Sequence, residues 1–309
     1  MPESAIPTAL KTRILSLMLG LGFMAQAGAQ TLYDGMLGSL PSSQGWNYIT
    51  SPLFGAKAVQ SLAGGLATLD TTAAMGDSAG YFTSLPPFFP LHPLVGVLDR
   101  TNGFTVDFDS TLISETHDTT NRAGLSVIVL ASDLSGIELG FWEDQIWAQD
   151  DGTNLFVHAE SASFNTKAHT TYQLSIKDQS YTLSTNRVSL LTGRLRNYSS
   201  KGKPYSVPSF IFLGDDTSRA SAQFQVGLVT LTKHLTRPRF EEVGLFDDHL
   251  KFTLSGVPGT VYFIDESEDF ILWNQILEIN NFGGNQLIDI QYIVKPALHF
   301  YRVRTAGNP

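Results

Sequence analysis

One stretch of the chain, GIELGFWEDQIWAQDD at 136–151, combines side chains that could act on a sugar. It holds two tryptophans, Trp142 and Trp147, together with carboxylates that include Glu138. Indole rings pack against the apolar C–H faces of sugar rings, while carboxylates and amides bind sugar hydroxyls. The stretch is therefore a candidate glycan-binding surface, and its carboxylates are candidate acids and bases for glycan cleavage.

The alternation of side chains along β-strands predicts which of these residues lie together. Ile137, Leu139 and Phe141 should face a core, and Glu143-Asp144 should form a hairpin turn. The opposite face would carry the predicted ligand-binding residues Glu138, Trp142, Trp147, Gln149, His158 and Glu160. The same pattern has an alternative interpretation, in which the two tryptophans form a cross-strand pair that only stabilises the hairpin.

Cleavage requires a pair of carboxyl groups, which retaining glycosidases hold about 5 Å apart. Glu138 and Glu160 on neighbouring strands could supply the acid and the base, with His158 between them as a proton shuttle. The alternative to a binding protein is therefore a hydrolase or lyase that uses these two residues.

A second acidic pair, Asp215-Asp216, directly follows the apolar segment Phe210–Leu213. Carboxylate oxygens are the ligands that Ca²⁺ prefers, so Asp215 and Asp216 are the predicted metal ligands. Aspartates in such loops also act as turn formers whose side chains accept hydrogen bonds from their own backbone. Calcium is accordingly the only cofactor that the sequence suggests.

The elements that must position these residues are short strands. Phe104, Val106 and Phe108 alternate with polar residues, as expected for a strand with one solvated face. Leu125–Ala131 and Phe210–Leu213 are continuously apolar, which predicts central strands covered on both faces. Because no long helical period occurs, the sequence predicts an all-β fold of the sandwich or jelly-roll type.

The chain is predicted to contain a signal peptide and two β domains. Residues 1–29 combine a basic start, an apolar run over 14–24 and two alanine-spaced cleavage patterns, which is typical of a secretory signal peptide. A basic, proline-containing joint at Thr236–Arg239 separates a domain at 30–235 from a smaller one at 239–309. Trp273 and Tyr301 are expected in the core of the smaller domain.

Composition restricts the partners. The formal net charge of −9 argues against nucleic acid, because phosphate binding depends on Lys and Arg. After the leader no apolar run is long enough for a membrane span, and the chain has no cysteine for disulfides. A secreted or cell-surface protein that meets a neutral or cationic partner, such as a polysaccharide or extracellular matrix glycan, fits these features.

Three segments resemble secreted bacterial domains of the concanavalin A-like or laminin G-like sandwich type, which are often attached to interchangeable cell-surface anchors. They are LYDGMLGSLPSSQGW at 32–46, NRAGLSVIVLASDLSGIELGFWEDQIWAQDD at 121–151 and FIFLGDDTSRASAQFQVGLVTL at 210–231. The tail, with YFIDESEDFILWNQI and LHFYRVR, is similar to small immunoglobulin-like modules. The resemblance implies a binding surface more often than a catalyst. Laminarinase-type enzymes on this fold carry E-x-D-x-x-E on one strand, whereas this chain has Gly140 two residues after Glu138, which argues against catalysis.

These observations together predict an exported, non-enzymatic protein that binds glycans or matrix components. The alternatives are a glycan-cleaving enzyme on the same fold and a purely structural component of the envelope or matrix.

Overall fold

The computed structural model describes residues 29–152, 157–234, 238–246, 249–256, 260–281, 285–291 and 299–305. The predicted signal peptide lies outside the described residues, apart from Ala29. The chain divides into two compact units, one within Ala27–His234 and the other within Leu235–Pro309. That the two segments fold independently stays a prediction. Among the described residues, no helix is long and apolar enough to cross a membrane.

The described part of the first unit consists of strands and three short 3-10 helices. The helices are Gly35–Leu37, Pro41–Gln44 and Ser199–Lys201. The strands are β1 (Gln30–Asp34), β2 (Asn47–Ser51), β3 (Val59–Ala63), β4 (Leu66–Asp70), β5 (Ser78–Phe82), β6 (Phe104–His117), β7 (Leu125–Leu130), β8 (Ser135–Phe141), β9 (Gln145–Gln149), β10 (His158–Ser163), β11 (Thr170–Lys177), β12 (Ser180–Thr185), β13 (Val188–Arg194), β14 (Arg196–Asn197), β15 (Phe210–Asp215) and β16 (Ala220–Lys233).

These strands form two eight-stranded antiparallel sheets. Sheet 1 has the order β13-β12-β11-β6-β16-β4-β3, and β1 also pairs with β16. Sheet 2 has the order β10-β9-β8-β7-β15-β5-β2, and β14 also pairs with β8. Neighbours in sheet 2 such as β7 and β15 are distant in sequence, as they are in jelly-roll sandwiches. The predicted all-β sandwich is confirmed.

The main core lies between the two sheets. Phe104, Val106 and Phe108 of sheet 1 pack there with Leu139 and Phe141 of sheet 2. Each of these residues alternates with a side chain on the other face of its strand, because successive side chains in a strand point to opposite sides. The sequence-based assignment of inward residues on β6 and β8 is therefore confirmed.

The outer face of sheet 2, which points away from sheet 1, carries a second apolar cluster. Ile128 and Phe212 of this face pack against Tyr198, Tyr205 and Val207 from the segment between β14 and β15. We call residues 198–209 the cover segment. All residues of β7 and β15 are buried as a result, which confirms the prediction of central strands covered on both faces.

The described part of the second unit contains six strands in two three-stranded antiparallel sheets, β17-β18-β21 and β20-β19-β22. The strands are β17 (Arg239–Phe246), β18 (His249–Ser255), β19 (Thr260–Ser267), β20 (Asn274–Asn281), β21 (Asn285–Gln291) and β22 (Phe300–Thr305). This unit is all-β as expected. Its immunoglobulin-like identity stays a prediction.

The core of the second unit differs from the prediction. It contains Phe252, Leu254 and Tyr262, with Tyr301 packed at its edge. Trp273 is not part of it: the indole is half-buried and stacks under the guanidinium of Arg302 at 4.5 Å. The reason is that Trp273 belongs to a turn rather than to a strand, so no alternation directs its side chain inward.

Candidate functional site

The stretch 136–151 forms the predicted hairpin of β8 and β9. Gly140 pairs with Trp147 across the hairpin, and the backbone N–H of Trp142 donates to the carbonyl of Gln145 at 2.8 Å. Ile137, Leu139 and Ile146 face the main core. Glu138 and Trp147 therefore lie on the outer face of sheet 2, as the alternation predicts.

This outer face is not exposed, contrary to the expectation from the sequence. Trp147 is only 2% accessible and Glu138 only 3%, and Gln149 is also buried. Trp147 lies flat on Gly140, where a Cβ would come within 2.5 Å of the indole ring. Tyr198 of the cover segment donates to the carbonyl of Gln149 at 2.7 Å. A sugar ring consequently has no open access to Trp147 in this structure.

The faces of both tryptophans are occupied by imidazole rings. His158 stacks on Trp147 with 3.9 Å between ring centroids, and His117 stacks on Trp142 at 4.2 Å. The two indoles meet edge to face at 6.0 Å. Burial, followed by the nearby His117, lowers the pKa of His158, so this ring is neutral at pH 7. The geometry therefore agrees with the alternative interpretation, a cross-strand tryptophan pair that stabilises the hairpin.

The structure separates Glu160 from the other predicted ligand-binding residues. His158 pairs with Gln149 but Ser161 pairs with Trp147, so β10 contains one extra residue, a β-bulge. The bulge reverses the alternation, and Glu160 instead forms an ion pair with Arg196 at 2.7 Å. Glu138 and Glu160 therefore do not form the catalytic pair that the sequence suggested.

Glu138 is held by residues that are distant in sequence and that the strand pattern does not indicate. The hydroxyl of Tyr205, in the cover segment, donates to Oε2 of Glu138 at 2.6 Å. Burial, followed by the charge of Asp216, raises the pKa of Glu138 to about 8, although the Tyr205 hydrogen bond and Arg122 oppose the shift. Glu138 is thus a neutral carboxylic acid at pH 7.

Asp216 is the carboxyl group electrostatically coupled to Glu138. Burial raises the pKa of Asp216, while hydrogen bonds with Ser126 and Tyr205 and the charge of Arg122 oppose the shift. We call Glu138 and Asp216 the carboxyl pair, and the Tyr205 hydroxyl its bridging hydroxyl. Two interacting carboxyl groups in a site of low polarity are a frequent feature of functional sites. The sequence gives only two indications of this pairing. Glu138 is at an outward-facing position of β8, and Asp216 directly follows β15.

Asp215 and Asp216 do not converge on a common metal ion. Asp215 is buried and accepts hydrogen bonds from the Thr71 hydroxyl at 2.6 Å and from the Thr217 backbone N–H at 3.1 Å. Burial raises the pKa of Asp215 to about 9, so it serves as a neutral partner of Thr71. Within the described ranges, no group of three His, Asp or Glu side chains could hold a metal ion. Successive residues at a strand end point to opposite sides, which is why the predicted calcium pair is divided.

A groove of about 350 Å³ lies beside the carboxyl pair on the outer face of sheet 2. Its apolar lining includes the almost fully buried Phe82, Phe210 and Phe212, and both Asp215 and Asp216 also line it. The polar groups at its rim are Ser51 and Ser78 on β2 and β5, and Lys203 of the cover segment. The Nζ group of Lys203 also donates to the carbonyl of Pro86.

Glycines shape this lining. Gly80 on β5 pairs with Gly214 on β15, and both lie under the ring of Phe212. A Cβ at Gly80 would lie 2.3 Å from that ring, and a Cβ at Gly214 would lie 2.4 Å from the Cα of Gly80. Only glycine at these two positions allows Phe212 to lie against the sheet and leave the groove open.

Comparison with known proteins gives similarities to solved structures alone. No family model matches the chain, and no curated protein matches it. A carbohydrate esterase of the Shiga toxin-encoding bacteriophage phi24B is 13% identical over 67% of this chain and 100% of its own, with a TM-score of 0.46. The Crh5 transglycosylase in complex with NAG is 12% identical over 67% of this chain and 85% of its own, with a TM-score of 0.41.

A further similar structure is the family 7 alginate lyase A1-II' in complex with product. It is 13% identical over 54% of this chain and 80% of its own, with a TM-score of 0.33. All three TM-scores lie below 0.5, so none of these similarities assigns a function to this chain.

Proposed function

We propose that the first unit binds a glycan in the groove on the outer face of sheet 2, as a non-enzymatic exported protein. The observation that carries this proposal is the groove itself, which combines an apolar lining with hydroxyl, ammonium and carboxyl groups. Apolar surface packs against the C–H faces of sugars, and polar groups of this kind hydrogen-bond to hydroxyls. Export is proposed from residues 1–29 alone.

The groove replaces the Trp142 and Trp147 surface as the proposed binding site. The indole faces are taken by imidazoles, whereas Ser51 and Lys203, which line the groove, are exposed. The net charge of −9 favours a glycan that is neutral or cationic as a whole, because a polyanionic chain would be repelled along most of the surface.

Binding to a panel of insoluble polysaccharides tests the proposal. Ser51 is exposed at the rim of the groove, so Ser51→Trp should fill it and abolish retention. Ser61 is an exposed serine on β3 of sheet 1, which makes Ser61→Trp the matched control, and it should bind like the wild type. Equal retention of the two variants would show that the groove is not the binding site. Retention of neither the wild type nor the control on any polysaccharide would contradict the proposed function.

Glycan cleavage is the second candidate function, and the carboxyl pair favours it. Asp216 lines the groove and is coupled to the neutral acid Glu138, and a coupled pair of carboxyl groups is a feature of sites that carry out general acid–base catalysis. Release of reducing ends, or absorbance of unsaturated products, from a retained polysaccharide would support an enzyme if Asp216→Asn abolishes it. Retention without any product would support the binding protein.

A further inference from the structure

The register of three strands brings the polar side chains of the groove together at one end. Ser51 on β2 pairs with Ser78 on β5. Asp216 lies beside Ser78, because it directly follows Asp215, which pairs with Ala79. We call Ser51, Ser78 and Asp216 the polar row. All three line the groove and are at least partly exposed, so their hydroxyl and carboxyl groups can exchange hydrogen bonds with sugar hydroxyls.

The other end of the groove is apolar. Phe82 is four residues from Ser78 on β5, which is about 13 Å along a strand. Phe82 is buried, and the partly exposed Leu85 is the apolar side chain that a ligand can touch at this end. Ile49, also partly exposed, pairs with Gly80 between the two ends. The polar and apolar parts of the lining are therefore separated along the strands.

Lys203 brings a hydrogen-bond donor to the apolar end. Its Nζ group donates to the carbonyl of Pro86, the residue that follows Leu85. An ammonium group has three N–H donors and no acceptor, so it favours an oxygen that only accepts, such as a carbonyl. A hydroxyl group would also accept this bond, but its own hydrogen would then lack a partner beside Leu85, which is unfavourable. A carbonyl oxygen next to a methyl group, as in an acetyl group, satisfies both Lys203 and Leu85.

The size of the groove restricts it to one sugar residue of a chain. Its volume of about 350 Å³ is near the lower limit for small-molecule sites, which span roughly 300–1,000 Å³. The residue in the groove meets hydroxyl-binding groups at one end and an apolar surface with a donor at the other. An unsubstituted sugar matches only the first of these ends.

We propose that the groove selects a sugar residue that carries an acetyl group, as an amide or as an ester. The methyl group packs on Leu85, and the acetyl oxygen accepts from Nζ of Lys203. The sugar ring lies on Ile49, and its hydroxyls reach the polar row. This proposal rests on the proposed function and names the substituent that the same site selects.

Two matched pairs of oligosaccharides test the proposal with the full chain. Chitohexaose and cellohexaose differ only in an acetamido or a hydroxyl group at C2, and acetylated xylohexaose is compared with the same sugar after alkaline removal of its esters. In titration calorimetry, the wild type should bind the acetylated member of at least one pair at least tenfold more tightly. The pair that shows this preference identifies the amide or the ester as the source of the acetyl group.

Variants of two lysines locate the donor. Lys203→Met should lower the preference about tenfold, as expected for one hydrogen bond to a charged group, and should leave the affinity for the unacetylated member within about threefold of the wild type. Lys201→Met is the matched control, because Lys201 is an exposed lysine of the cover segment outside the groove lining, and it should keep the full preference. Ser51→Trp should abolish binding of both members, whereas Ser61→Trp should bind like the wild type.

The outcomes separate the acetyl group from the proposed function. Equal affinity of the wild type for both members of both pairs, lost in Ser51→Trp, would overturn the acetyl proposal and leave glycan binding in the groove. A preference that survives in Lys203→Met or Ser51→Trp would place the acetyl group elsewhere and overturn the proposal. Retention on another polysaccharide without binding of any of the four oligosaccharides would also overturn it, whereas binding to no glycan at all would contradict the proposed function itself.

Discussion

Replacement of Glu138 by glutamine should change how the stability of the first unit depends on pH. Glutamine keeps an oxygen that can accept the hydrogen bond of Tyr205, but it cannot ionise. The folded protein holds Glu138 protonated up to about pH 8, whereas the unfolded chain releases the proton around the ordinary pKa of 4.5. The unfolded state therefore binds fewer protons between these values, so the free energy of unfolding falls as the pH rises through this window.

The size of the effect follows from the pKa difference. Each pKa unit corresponds to about 1.4 kcal/mol, and Glu138 is only 3% accessible, so solvent screens the effect little. Between about pH 5 and pH 7, the wild type should lose roughly 2–3 kcal/mol through Glu138 alone. Asp215 contributes a loss of the same sign, which the comparison between wild type and Glu138→Gln removes.

Urea denaturation at about pH 5, 6 and 7 measures this contribution. The free energy of unfolding of Glu138→Gln should decline less steeply with pH than that of the wild type. Glu143→Gln is the matched control, because Glu143 is a partly exposed glutamate paired with Lys167 on the same hairpin, and this variant should keep the wild-type slope. Identical slopes for wild type and Glu138→Gln would refute the conclusion that Glu138 is a neutral acid in the folded state.

Three further predictions concern packing and the bridging hydroxyl. Tyr205→Phe should destabilise the first unit by about 1–3 kcal/mol in urea denaturation, because a buried carboxyl group loses its donor; an unchanged midpoint would contradict the hydrogen bond. Gly140→Ala should quench or shift the fluorescence of Trp147 and lower the melting temperature, since the new Cβ would lie 2.5 Å from the indole. A wild-type spectrum and melting temperature would show that the ring does not lie on Gly140. In calorimetry, Phe252→Ala should lower the free energy of unfolding of the second unit by about 3–5 kcal/mol and remove only one of two transitions, because Phe252 is in its core. Trp273→Ala should lower it clearly less, because Trp273 is only half-buried. A single transition that shifts as a whole would contradict independent units.

Local alternation was enough to predict much of the fold. The inward positions of Ile137, Leu139 and Phe141 follow from their spacing, because the two-residue period of a strand is a property of the backbone. The burial of β7 and β15 on both faces follows from their continuous apolar composition in the same way. The all-β class needed no long-range information.

The site depended on contacts between residues that are far apart in sequence. The pairing of Glu138 with Asp216 requires β8, β7 and β15 to be neighbours, and strand order is decided by packing of the whole sandwich. The bulge in β10 turns Glu160 toward Arg196 and away from the outer face. The hydrophobic pattern of the sequence does not reveal this one extra residue, so the bulge could not be predicted.

The cover segment made the largest difference between expectation and structure. Sequence alone determined that Glu138 and Trp147 point away from the main core, and this was correct. Tertiary structure alone decided that the same face is buried, because Tyr198 and Tyr205 reach it from a loop some sixty residues further along the chain. Strand periodicity specifies the side on which a residue lies. Whether that side is exposed to solvent depends on whether a distant segment buries apolar surface against it.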